Sequence, residues 1–143
     1  MTGKSRFRRS PCPVVVTLDT LGDKWSLVVV RDLFLGRRRF TDFLGSPEKI
    51  ERNILAERLR RLEKAGLISR TRYQQKPDRY EYRLTRPGAD LLPVLQAMMR
   101  WARDNRPKTQ AVPDKWLAAR PKQFYPAARR RSQDNSKRKR PKS

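Results

Sequence analysis

Apolar residues along this chain recur at spacings that switch between the helical and the extended period. From Ile50 to Leu67 the leucines Leu55, Leu59 and Leu62 fall at i, i+4 and i+7, so they share one face of a helix. At about 100° per residue, Asn53, Glu57, Arg60 and Lys64 project from the opposite face, with Ala56 and Arg61 on its flanks and Arg58 nearer the apolar edge. Gly66, directly after this run, is a helix-terminating signal, and Leu67 opens a β-branched, arginine-rich stretch that reads as a strand to Tyr73. A second strand, Tyr80 to Leu84, comes after the turn signal Pro77-Asp78. Its period of two sends Tyr80, Tyr82 and Leu84 to the core and Glu81 and Arg83 to water.

Upstream, Asp23 is placed to cap a helix from Lys24 to Phe34, which Gly36 terminates. Trp25 within it reads as a core residue rather than a ligand-stacking one. Arg37 to Phe40 is a short extended piece, and Thr41 caps a brief helix through Asp42, Phe43 and Leu44. Gly45 to Lys49 is a turn, so the leucine-striped helix starts near Glu51. The β-branched run from Val14 to Leu21 is ambiguous between helix and strand. Thr85 caps a last helix that has Pro87 in its first turn, is bent at Pro93 and runs to about Arg103. Its apolar residues are too many for one contact, so one side packs on the domain and Leu91, Leu95, Met98 and Trp101 are assigned to a second subunit. Two helices and then a hairpin give an α+β, mainly α, winged helix-turn-helix with a two-stranded wing and a C-terminal dimerisation helix.

Charge changes this picture in one respect. The chain carries 36 Lys and Arg against 14 Asp and Glu, for +22, which points to a polyanionic partner, and double-stranded DNA is the default. The excess is uneven: +4 before Val14, +8 from Val14 to Arg106, and +10 from Pro107 to Ser143. This divides the chain into a flexible basic arm (1–12), the winged-helix domain (13–106) and a basic, largely disordered extension (107–143). Lys137 to Lys142 is compatible with a localisation signal or with a nonspecific DNA-binding tail. With no histidine and one cysteine the chain lacks a zinc constellation and a nucleophilic triad, so neither a metal, a cofactor nor an enzymatic activity is expected. The longest purely apolar run, Leu27 to Val30, is far too short to cross a bilayer, and the first residues lack the apolar stretch of a signal peptide. A cytoplasmic protein with no membrane partner is expected.

From Cys12 to about Trp101 the chain resembles the HxlR family of bacterial winged-helix transcriptional regulators. The resemblance is carried by Cys12-Pro13, Leu21-Gly22-Asp23-Lys24-Trp25, Arg39-Phe40-Thr41-Asp42-Phe43, Asn53-Ile54-Leu55-Ala56-Glu57-Arg58-Leu59, Leu62-Glu63-Lys64-Ala65-Gly66-Leu67-Ile68 and Glu81-Tyr82-Arg83-Leu84-Thr85. It favours a helix for Val14 to Leu21. It implies homodimers that bind inverted-repeat operators, with the terminal helices forming the subunit contact. Several relatives sense electrophiles or oxidants through a cysteine near the N-terminus, which makes Cys12 a candidate redox sensor and a small molecule or oxidant a candidate effector. Relatives often have Ser or Thr where this chain has Arg52, so the usual hydroxyl cap of the reading helix is missing.

The DNA-contacting set expected from these readings is Arg52, Asn53 and Ala56 toward bases, with Arg58, Arg60, Lys76 and Arg79 toward backbone or minor groove and Arg39 toward phosphates. Glu57 either accepts from cytosine or pairs with Arg61 four residues on. The rival reading is a nonspecific architectural DNA- or RNA-binding protein driven by its basic tails.

Overall fold

Two of the helices end in the same way, and these ends place everything between them. The computed structural model describes residues 9–127. In it the second helix, α2 (Ser26–Phe34), closes with Gly36 at φ 99°, its amide bonded to the Leu33 carbonyl and the Arg37 amide to that of Asp32. The fourth, α4 (Arg52–Lys64), closes with Gly66 at φ 80°, its amide on Glu63 and that of Leu67 on Leu62. Both glycines sit in the left-handed region that side chains avoid, and the paired bonds satisfy the last carbonyls of each helix.

α1 (Pro13–Leu21) is helical, as the family pattern favoured. α2 begins two residues later than expected, yet Asp23 still serves its start: the carboxylate accepts from the Trp25 and Ser26 amides at 2.9 and 3.0 Å. Trp25 is half-buried and packs against the core. α3 (Phe40–Leu44) starts before Thr41. Its first turn is held by Asp42, whose carboxylate accepts from the Arg38 and Arg39 amides at 3.1 and 2.9 Å. Thr41 therefore lies inside the helix and caps nothing.

The wing is an antiparallel pair, β1 (Ile68–Gln74) and β2 (Arg79–Leu84), in register Ile68↔Leu84 to Arg72↔Tyr80, with an irregularity between Arg72 and Gln74. Leu84 is buried and Tyr82 packs edge-on to Phe43, but Tyr80 stays outside the core and carries Arg70 on its ring face at 4.1 Å. Only the root of the hairpin reaches the body, so the inward alternation is lost toward its tip. Of the extended piece expected at Arg37 to Phe40, Phe40 already belongs to α3; the rest joins this sheet through a single bridge, Arg39↔Glu81, and the Tyr82 amide bonds to the Arg38 carbonyl at 2.8 Å.

The last helix is two helices, α5 (Arg86–Ala89) and α6 (Leu92–Asn105). Thr85 caps α5, accepting from the Gly88 amide, and donates to the Gly66 carbonyl at 2.6 Å, which ties the end of the hairpin to the end of α4. Pro93 lies in the first turn of α6, where no amide is needed, so it starts a helix rather than bending one.

The segment after Arg106, expected to belong to a largely disordered extension, folds back on the body as far as Ala127. It forms α7 (Asp114–Ala118) and a 3₁₀ turn (Pro121–Phe124). Phe124 meets Phe34 edge-on at 4.9 Å and lies parallel to Trp116, while the buried Gln96 amide donates to the Trp116 and Ala119 carbonyls at 2.8 Å each. The aromatic residues offset the chain entropy of ordering this arm. The arm before Arg9 and the run from Arg129 to Ser143 lie outside the described residues.

α2, α3, α4, the sheet root and α6 close one core around Val30, Leu33, Phe43, Leu55, Leu59 and Leu92. Asp32, 2% exposed, stands at its edge. Ser46, in the turn before α4, donates to one Asp32 oxygen, and Arg31 donates to the other at 2.9 Å while also gripping Glu48 at 2.7 Å. A buried carboxylate without partners is strongly unfavourable, so these bonds fix the turn that leads into α4.

Removing the Asp32 carboxylate with Asp32→Ala leaves Ser46 unpaired and should destabilise the fold by about 3 kcal/mol in urea denaturation, with Asp32→Asn milder because its amide oxygen still accepts from Ser46. The Glu48 carboxyl is pulled down from its ordinary 4.5 to about 2, chiefly by Arg31. A folded-state value below the unfolded one means that its contribution is complete above about pH 4.5 and is lost as pH falls toward 2. Melting temperatures across that window should fall more steeply for the wild-type chain than for Glu48→Gln.

Candidate nucleic-acid interface

α4 exposes the face that its leucines leave free. Arg52, Asn53, Arg60 and Lys64 are exposed, and Ala56 and Glu57 are half-buried beside them. The residue at the capping position is Glu51, whose side chain makes no capping bond, and Arg52 is the first helical residue. The missing hydroxyl cap thus leaves the first turn of α4 with amides open to an acceptor from outside, where the helix dipole favours an anion.

That turn faces the wing across a concavity of about 440 Å³ whose lining includes Arg39, Phe40, Arg52, Tyr73, Arg79 and Tyr80. Arg52 leans over the Phe40 ring at 5.6 Å. Arg39 is held more tightly: its guanidinium lies 3.8 Å over Tyr73 and pairs with Glu81 at 3.0 Å, though its side chain remains about half exposed. Lys76 and Arg79 are exposed at the wing tip. Three guanidiniums around one open trough, with Tyr73 exposed and Phe40 and Tyr80 half-buried beside them, suit a polyanion with stacked rings.

Arg58 is reassigned. Its Nε donates to Asp23 at 2.8 Å, its Nη1 contacts Glu57, and the side chain is 19% exposed, so it is committed to the loop between α1 and α2 and has little to offer a phosphate. Arg61 reaches the same Asp23 at 3.6 Å. Glu57 serves both arginines, the Arg61 contact at 3.8 Å being the i, i+4 pair anticipated from the sequence. Burial alone would raise the Asp23 carboxyl, but bonds from Ser26, Arg58 and the Trp25 and Ser26 amides outweigh it and hold the group far below the usual carboxylate range. Sequence reasoning missed this clamp, and its one local signal was Arg58 lying near the apolar edge of the stripe.

Arg37 and Arg38 are likewise turned inward. Arg37 donates to the Asp42 carbonyl and Arg38 to those of Leu33 and Arg37, so of the arginine run only Arg39 faces the trough.

Elsewhere, Cys12 is exposed at the capping position of α1, its amide bonded to Ser10 Oγ at 3.0 Å. Of the four residues assigned to a second subunit, Leu95 is buried in the chain's own core and Leu91 packs half-buried against it. Met98 and Trp101 remain 51% and 55% exposed, with Val94 beside them on α6 and Val14 and Leu18 exposed on α1. Among the described residues there is no group of three His, Cys, Asp or Glu side chains able to hold a metal, and no helix long and apolar enough to cross a membrane.

A family model described as HxlR-like helix-turn-helix matches residues 20–110. An uncharacterized HTH-type transcriptional regulator of Mycobacterium tuberculosis is 38% identical over 98 residues, 68% of this chain and 61% of the relative, so the chain spans about three fifths of that protein's length. YdeP, an uncharacterized HTH-type transcriptional regulator of Bacillus subtilis, is 41% identical over 90 residues, 63% of this chain and 70% of YdeP. Among solved structures, the redox regulator HypR is similar in its reduced form at 36% identity and TM-score 0.60, over 66% of this chain and 93% of HypR. Its oxidized form is similar at 37% and 0.59, over 66% and 98%.

The division of labour on α4 is measurable. Arg58→Ala should lower the melting temperature by several degrees, and a double-mutant cycle with Asp23→Ala should return a coupling energy of about 1 kcal/mol. Arg60→Ala should leave the melting temperature within about 1 °C, as an exposed surface change does.

Proposed function

The chain belongs to the HxlR-like helix-turn-helix family, and from that premise we propose that it is a sequence-specific transcriptional regulator that binds double-stranded DNA as a homodimer on inverted-repeat operators. The observation that carries this reading is the pairing of an exposed α4 first turn, Arg52 and Asn53, with the arginine-bearing wing across one open trough. α4 lies in the major groove. Asn53 reads adenine through two hydrogen bonds, Arg52 reads guanine or grips the backbone, and Ala56 offers a surface to a thymine methyl. Arg60 and Lys76 neutralise phosphates, Arg79 enters the adjacent minor groove, and Arg39 tracks the backbone between them.

The dimer is formed by the exposed apolar residues of the terminal helices, Val14 and Leu18 on α1 with Val94, Met98 and Trp101 on α6. Two copies then set their α4 helices in successive major grooves, about 34 to 36 Å apart. Cys12 is the candidate sensor: it is exposed at the start of a dimer helix, and the similar HypR is a redox regulator solved in both oxidation states. Its thiolate attacks a peroxide oxygen, forming a sulfenic acid as the O–O bond breaks and hydroxide leaves, or is alkylated by a carbon electrophile, and the resulting change at α1 alters the subunit geometry.

Selection of bound sites from genomic fragments, with titration of the recovered operator, tests the reading. Asn53→Ala should weaken operator binding about 5- to 150-fold and leave random DNA unaffected. Equal affinity of the wild-type chain for operator and random duplex would leave the architectural alternative standing. Met98→Glu with Trp101→Glu should yield monomers in sedimentation and a matching loss of operator affinity. An oxidant should change operator occupancy in the wild-type chain and not in Cys12→Ser.

A further inference from the structure

Of the wing's two strands only Ile68 and Leu84, the pair at its root, are buried. Tyr82 adds one edge contact with Phe43, and from there to Arg79 about 10 Å of ladder extends beyond the core. A two-stranded hairpin has little stability of its own, so apolar packing alone does not set the angle at which this free length stands to α4.

Two arginines tie it instead, one on each face of the hairpin. Opposed residues share a face, so Arg70 and Tyr82 lie on one and Thr71 and Glu81 on the other. On the first face Arg70 rests 4.1 Å over Tyr80 and pairs with Glu63 of α4 at 3.4 Å. On the second, Arg39 reaches in from the start of α3: its Nε and Nη2 both lie 3.0 Å from one oxygen of Glu81, and its guanidinium is 3.8 Å over Tyr73. Tyr73 stands at the irregularity of β1, between Arg72↔Tyr80 and Gln74↔Arg79, without an opposite residue. Such a point bends a strand and re-aims its side chain. The next residue after Arg39, Phe40, carries Arg52 over its ring at 5.6 Å. The Arg39-Phe40 segment therefore touches both walls of the trough, the first turn of α4 and the wing.

Glu81 is the informative member of this set. A carboxylate beside a phosphate-binding surface opposes the attraction of a polyanion, and this one also takes up Arg83 through its other oxygen at 3.3 Å. What it supplies is direction, because a charge-assisted bond fixes a guanidinium that an aromatic face alone would let slide. We propose that Tyr73 and Glu81 are positioning residues for DNA recognition: acting through Arg39, they set the angle of the wing, and with it where Lys76 and Arg79 meet the duplex relative to the base pairs that α4 reads. Part of the attraction for any duplex is given up, and a fixed spacing between the two contacts is gained. The proposal rests on the reading of the trough as the DNA site, but the brace itself is a property of the free protein.

The test uses the full chain on two duplexes of equal length, one carrying a site recovered by selection and one of random sequence. Glu81→Gln removes one negative charge at nearly constant volume. Charge alone predicts tighter binding to both duplexes. Positioning predicts that affinity for the selected site falls about tenfold while affinity for random sequence is unchanged or rises. Tyr73→Ala should lose as much, and Tyr73→Phe, which keeps the ring under Arg39, should bind like the wild-type chain. In an Arg39→Ala background Glu81→Gln should weaken the selected site no further, since the carboxylate then has nothing to position. In the free protein, amide hydrogen exchange from Arg72 to Tyr80 should quicken several-fold in Glu81→Gln while α4 is unchanged. Tighter binding to both duplexes, equal loss on both, a Tyr73→Phe variant as weak as Tyr73→Ala, additive losses with Arg39→Ala, or unchanged exchange in the wing each overturns the assignment. Equal affinity of the wild-type chain for the two duplexes counts against the reading of the trough alone, and the exchange measurement then decides the brace without DNA.

Discussion

A helix that leaves one face to solvent can be held only by the other, and in α4 that leaves three leucines and one carboxylate. Leu55, Leu59 and Leu62 determine how deeply the helix sits, but an apolar stripe is tolerant of small rotations because dispersion contacts have no direction. Asp23 supplies the direction. Its two oxygens are shared among the start of α2, Ser26 and Arg58, with Arg61 nearby, so α1, α2 and α4 meet at one charged point. The Arg31–Asp32–Ser46–Glu48 set does the same for the turn before α4. Between them, roll and entry angle are fixed while the outer face keeps its side chains free.

The fold was legible wherever its cause is local. Leucines at helical spacing, glycines where two helices must turn left-handed, and a Pro-Asp turn between alternating strands all act within a few residues, and each lies where the sequence placed it. The split of the last helix was readable in principle, since a proline is as much at home in a first turn as it is disruptive in the middle of a helix. The arm from Pro107 to Ala127 was not. Trp116, Phe124 and Tyr125 have no common period, and what orders them is a surface made by α2, α5 and α6 that exists only after folding.

On α4 the exposed face was legible in the sequence, and the pairing of its cations was not. Spacing separates outward from inward positions on α4, but it cannot report which outward arginines are already engaged. Arg58 finds its carboxylate 35 residues away and Arg31 finds Glu48 at 17, while Arg39, paired with Glu81 at a separation of 42, still faces the trough. In a chain with +22 of net charge every arginine looks available, and only the folded arrangement separates those that hold the protein together from those that face outward.

Two guanidiniums of the wing region rest on tyrosine rings, Arg39 on Tyr73 and Arg70 on Tyr80. A free arginine side chain carries about 2 kcal/mol of rotamer entropy, most of which is surrendered when it docks on an anion. A stacked guanidinium has given up much of that freedom during folding, and each of these two is also paired with a carboxylate, Arg39 with Glu81 and Arg70 with Glu63. The wing is therefore preorganised: these two cations are held in a narrow range of positions, and the entropy of ordering them is charged to the fold.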